Sequence, residues 1–148
     1  MSMELRKGYV ADEFNAVLKY AIASGSLQEG TQQVDHYQVP GLYVRRCRIP
    51  AGTVAASYVH RYDHVAYCLK GTVILVDQDG TKTTIDAPDI VITKAGTQRA
   101  IYAVTDVDWA TSHATDHTDI DTIEETLGCH TMAEYHALIG HEESNGAN

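Results

Sequence analysis

Between Val34 and His113 the chain is a succession of short runs rich in Val, Ile, Thr and Tyr. They are cut by turn signals at Pro40-Gly41, Pro50-Ala51-Gly52, Asp79-Gly80, Ala87-Pro88-Asp89 and Ala95-Gly96. Segments this short and this regularly interrupted cannot sustain helices and read as strands, and their number predicts an antiparallel sandwich or barrel. Thr72 to Ile85 is the sharpest piece of the pattern. It reads as a hairpin closed at Asp79-Gly80, because Asp-Gly accepts the positive φ that a tight turn between twisted strands demands.

The flanks change period. Val10, Phe14, Val17, Leu18, Ala21 and Ile22 recur at helical spacing ahead of Gly25 and predict one amphipathic helix. Beyond His113, Thr118 or Asp119 is placed to cap a short helix through Leu127, which Gly128 stops. Thr131 to Glu134 has capping-box spacing before a last helix to about Leu138. The expected organisation is a helical segment 1–33, a barrel 34–113, a helical segment 114–140 and a disordered polar tail 141–148.

At 148 residues and 44% apolar content there is material for one well-filled core. No run approaches the roughly 20 apolar residues of a membrane span, and MSMELRKGYV lacks the apolar stretch of a secretory signal, so a soluble cytoplasmic protein without a membrane partner is expected. A net charge of -9 argues against binding nucleic acid through its phosphates, which takes clustered Lys and Arg. Cys47, Cys68 and Cys129 are odd in number and far apart, and read as buried thiols. Arg45, Arg46 and Arg48 read as a solvated strand edge rather than an anion site.

His60 and His64 carry the chemistry. They stand among Tyr, Val and Thr after a Pro-Ala-Gly turn, which places one at a strand end and the other at the start of the next, both facing one cavity. Imidazoles so placed are common ligands for divalent metals. Alternation carries Ala56, Tyr58 and His60, then His64, Ala66 and Cys68, then Thr97, Arg99 and Ile101 into the same interior.

From Gly52 to Gly71 the chain resembles the first motif of the cupin superfamily, a Gly, an HxH pair, an acidic ligand and a closing Gly. His60 falls on the second histidine, His64 on the acidic position, Gly71 on the closing glycine and Tyr58 on the first histidine. Lys94-Ala-Gly96-Thr-Gln-Arg99 resembles the second motif, with Arg99 where its histidine would stand. A narrower resemblance is to small cupin-like proteins of tailed bacteriophages. It rests on Pro40-Gly-Leu-Tyr-Val-Arg45, Pro50-Ala-Gly-Thr53, His60 to His64, Gly96-Thr-Gln-Arg99 and Trp109-Ala-Thr-Ser-His113 in that order.

The resemblance implies an all-β, cupin-like double-stranded β-helix, a jelly-roll barrel with N-terminal and C-terminal helices outside it. The candidate ligand-binding set is Tyr58, His60, His64, Cys68, Arg99 and Trp109. His60 and His64 with His113, or with Tyr58, are the candidate ligands of a Zn, Fe, Ni or Mn ion. Guanidinium does not ligate metals, so Arg99 removes one coordination position and adds a charge suited to a carboxylate or phosphate, unless it pairs with Asp63 or Asp89.

Two functions follow from this set. One is a binding module for a small anionic molecule, a nucleotide-like signal in a phage-infected host cytoplasm being one form of it. The other is a metal-dependent enzyme of isomerase, lyase or dioxygenase type. A homodimer is expected in either case.

Overall fold

The computed structural model describes residues 28–29, 33–129 and 131–146. The helix expected over Val10 to Ile22 and the residue His130 lie outside them.

Twelve strands and two helices are formed by the described residues. The strands are β1 (Gln28–Glu29), β2 (Gln33–Val39), β3 (Leu42–Ile49), β4 (Thr53–Ala56), β5 (Val59–His60), β6 (His64–Lys70), β7 (Thr72–Asp77), β8 (Lys82–Asp86), β9 (Asp89–Thr93), β10 (Arg99–Ala103), β11 (Val107–Ala114) and β12 (Gly128–Cys129). The helices, α1 (Ile120–Leu127) and α2 (Met132–Gly146), flank β12.

Two five-stranded sheets, in the orders β1-β4-β10-β7-β8 and β2-β3-β11-β6-β9, close on one core, and β12 pairs with β5 apart from them. The core alternates as strand geometry requires. Cys47, Ile49, Ala66, Cys68, Val107 and Trp109 come from one sheet, and Ala55, Val73, Leu75, Ile85 and Ala103 from the other. This is the antiparallel β architecture that the strand pattern predicts.

Local chemistry accounts for the connections. β7 and β8 pair from Thr72↔Asp86 to Val76↔Lys82, and Gly80 turns the chain with φ 85°. Asp119 caps α1, its carboxylate accepting from the Thr122 N–H at 3.0 Å, and Gly128 ends it. The Thr131 hydroxyl accepts from Glu134 N–H, the first half of the expected capping box. The helix it starts does not stop near Leu138, however, and the segment read as a disordered tail is helical to Gly146. Gly140 costs a helix only about 1 kcal/mol and no proline follows it, so nothing local terminates the run.

Gly71, the closing glycine of the first motif, carries φ 87°, and a Cβ there would overlap the Asp106 carbonyl oxygen. Gly71→Ala should therefore cost about 3 kcal/mol or more in urea unfolding. A loss under about 1 kcal/mol would mean that the β6–β7 turn can relax away from Asp106.

Candidate ligand-binding cavity

A cavity of about 150 Å³ opens between the two sheets at the end of the barrel covered by α1. Its wall is set by register. Across the second sheet, Tyr43 stands opposite His113, and the adjoining Ser112↔Val65 and His64↔Thr93 pairs carry the row on to His64 and Thr93. One step deeper lie Arg45, Thr111 and Ala66, and below them Cys47 and Trp109. The first sheet contributes Arg99, Ile101 and Ala55, and α1 contributes Ile123, Glu124 and Leu127.

The structure brings His60, His64 and His113 together. Ring centroids are 4.4 Å apart for His60 and His64 and 4.5 Å for His64 and His113. The His60 backbone is held on both sides, its N–H donating to Thr97 O at 3.0 Å and its carbonyl accepting from Gly96 N–H at 2.7 Å. Burial, reinforced by the neighbouring imidazoles and by Arg99 and Arg45, pushes His60 down to about 3. Burial, with His64 and Arg45, pushes His113 down to about 4. His64 is lowered chiefly by burial. All three rings are neutral at neutral pH. His113 Nε2 shares a hydrogen bond with Thr111 Oγ1 at 2.8 Å, whereas the buried Nδ1 of His64 has no partner.

Arg99 lines the cavity, but the acid beside it is neither Asp63 nor Asp89. Its Nε donates to Asp77 Oδ1 at 2.8 Å, its cross-strand neighbour on β7, and its Nη1 donates to Thr93 Oγ1 at 2.9 Å. Asp63 accepts from the Ala95 N–H and Asp89 from the Ile90 N–H. Trp109 forms part of the cavity wall, and Tyr58, 49% exposed, sits at the rim.

Cys68 does not reach the cavity. It is buried in the core opposite Trp109, with its thiol turned to the Lys70 and Gly71 carbonyls at the β6–β7 turn.

Arg45 overturns an expectation. β3 lies between β2 and β11 rather than at an edge, so Arg45 shares the inner face with Tyr43, Cys47 and Ile49. Arg46 and Arg48 point the other way and pair with Asp108 and Asp35. The Arg45 Nη1 donates to Cys47 Sγ at 3.1 Å, and no carboxylate among the described residues pairs with it. Glu124, also unforeseen, joins the wall from α1.

His60, His64 and His113 are the side chains to weigh as holders of a divalent metal. Among the described residues no group of three or more His, Cys, Asp or Glu is arranged to hold one. His113 is engaged with Thr111, and Arg99 stands where a further ligand would be needed.

No protein-family model matches the chain, and no curated protein matches it in sequence. Its fold is nonetheless shared with solved structures. Ectoine synthase from P. lautus superposes with a TM-score of 0.55 at 14% identity, over 66% of this chain and 73% of that one. An RmlC-like cupin protein from Desulfovibrio desulfuricans gives 0.50 at 15% identity, over 59% of this chain and 83% of that one. Salicylate 1,2-dioxygenase from Pseudoaminobacter salicylatoxidans, in complex with gentisate, gives 0.51 at 17% identity over 68% of this chain, which spans only 31% of the dioxygenase. Likeness at this level defines fold. The chain is an all-β, cupin-type jelly roll, and its helices lie outside the barrel. No helix of the described residues is long and apolar enough to cross a membrane.

Proposed function

We propose that the protein binds a small organic anion in the barrel cavity. The observation that carries this reading is Arg45, a guanidinium facing a largely apolar cavity with no carboxylate partner among the described residues. Arg45 is half-buried, and a cation drawn partly out of water without a carboxylate loses hydration that an anionic ligand would restore. Arg99, whose Nη2 makes no bond to the described residues, and the neutral imidazoles supply further hydrogen-bonding groups. The volume favours a small carboxylate or phosphate over a nucleotide, since a cavity near 150 Å³ encloses about a benzene.

Isothermal titration with butyrate and with inorganic phosphate tests the proposal. At least one should bind, and Arg45→Leu should weaken it about tenfold or more. Absence of binding, or equal binding by the variant, would overturn the reading. Three neutral imidazoles and the unpartnered His64 Nδ1 favour a metal-dependent enzyme as the second reading. Protein purified without a histidine tag should carry far less than one metal ion per chain, and a stoichiometric ion lost in His60→Ala would establish that alternative instead.

A homodimer also remains our proposal. Tyr37, Val44, Ser112, Val65 and Ile92 form one cross-strand row over the outside of the β2-β3-β11-β6-β9 sheet, and Ile90 and Ile92 on edge strand β9 are each 63% exposed. Five strands at about 4.8 Å spacing by three residue rows make a footprint of several hundred Å², of the order one side of a stable interface needs. A second copy offers the same patch with its own unpaired edge. Sedimentation at micromolar concentration should give about twice the 16.2 kDa chain mass, and a monomer mass would sink the proposal.

A further inference from the structure

We propose that the ligand is a small zwitterion, its anionic group held inside the cavity by Arg45 and its cationic group held at the mouth by Glu124. This deepens the anion-binding reading and rests on it.

Arg45 and Glu124 face the same cavity with opposite charges, yet they do not pair. The ion pairs among the described residues are Arg46 with Asp108, Arg48 with Asp35, Lys94 with Asp63 and Arg99 with Asp77. Glu124 has no side-chain hydrogen bond to the described residues either, and its backbone carbonyl serves only the Gly128 cap. Both nevertheless line the cavity with Tyr43, on which their charges act in opposite senses. Two opposite charges lining one cavity, each without an oppositely charged partner among the described residues, are complementary to a molecule carrying the reverse pair.

Position sorts the two ends. Arg45 lies beneath His113 on an inner strand, whereas Glu124 sits on the covering helix and also lines the outer recess with Tyr58, Asp121 and Glu125. A simple anion entering past these acids meets repulsion, whereas an ammonium left at the mouth turns the same charge into attraction.

His64 supplies an independent observation. It is 7% exposed, lines the cavity and carries a buried Nδ1 without a well-formed hydrogen bond among the described residues. Ala55, Ala66, Ile101 and Trp109 add apolar wall that suits an aliphatic body, and the volume limits it to a few carbons. The chemical class is a short amino acid, with the amino group at the α position or the far end.

Titration of the full chain with two matched pairs, γ-aminobutyrate against butyrate and L-valine against isovalerate, together with n-butylamine, tests this. In at least one pair the amino acid should bind about tenfold or more tighter than its deaminated counterpart, and the amine alone should bind more weakly than either. In Glu124→Gln, verified as folded by its thermal melt, that preference should fall below about threefold while affinity for the plain carboxylate holds or rises. Equal or tighter binding of butyrate and isovalerate by the wild type would overturn the zwitterion and leave the anion reading standing. A preference undiminished in Glu124→Gln would overturn the role of Glu124. Failure of every carboxylate to bind would overturn the zwitterion, and failure of inorganic phosphate as well would overturn both readings together.

Discussion

Taking the protein from pH 7 to pH 4 should cost it several kcal/mol of stability, with the loss beginning near pH 6.5. His60 and His113 hold folded-state values of about 3 and about 4, while in the unfolded chain each returns to about 6.5. Above that pH neither state binds the extra protons, so the groups are silent. Below it the unfolded chain takes up protons that the buried rings refuse, and stability falls until pH reaches the folded-state values. Each tenfold difference in acidity is worth about 1.4 kcal/mol, against a total stability of about 5–15 kcal/mol for a domain, so the effect is large. Asp108, held low by Arg46, and Asp63, held low by the Ala95 N–H, add their losses only below the ordinary carboxylate range. Urea midpoints at pH 7, 6, 5 and 4 would follow the decline, and His113→Asn should flatten it. A midpoint unchanged down to pH 5 would show that water reaches the rings.

The second large effect concerns the Arg99–Asp77 pair. Asp77→Ala leaves a guanidinium whose side chain is 17% exposed without its carboxylate. Breaking a buried pair from one side costs about 3–5 kcal/mol, and the 30% exposure of Asp77 brings the expectation below that range, to about 2–3 kcal/mol. Replacing both members, Asp77→Leu with Arg99→Leu, should recover most of that loss, because no orphaned charge remains. Inorganic phosphate should raise the melting temperature of Asp77→Ala more than that of the wild type, the added anion standing in for the lost carboxylate. A single-variant loss under about 0.5 kcal/mol would mean that water already satisfies Arg99.

What could be read from the sequence was what is local. The Asp79-Gly80 hairpin and the alternation in β3, β6 and β7 depend on neighbours in the chain, and His60 and His64 meet because four residues of chain bring them together. Strand order is not local. Arg45 read as an edge residue because nothing nearby says that β2 takes the edge and buries β3 behind it. The signal was nonetheless present, since Tyr43, Cys47 and Ile49 share its parity, and the same Tyr43 and Arg45 close the Pro40-to-Arg45 motif on which the phage resemblance rests. Asp77 escaped as the partner of Arg99 because the pair depends on the β10–β7 register, not on proximity in sequence. For Cys68, parity gave the inner face, but the turn carbonyls of Lys70 and Gly71 that take its thiol are not legible in the alternation.

The helix over the cavity is strapped at both ends. Before it begins, the Thr118 carbonyl accepts from Gln38 Nε2 on β2. Where it ends, the Leu127 carbonyl accepts from the Arg61 N–H, and Gly128 pairs with His60 itself. A molecule small enough to fit beneath α1 is therefore much smaller than the piece of chain that covers it. Lifting that cover would break its ties to β2, to Arg61 and to β5 together, so the roof of the cavity is fastened to both sides of the barrel rather than hinged on one.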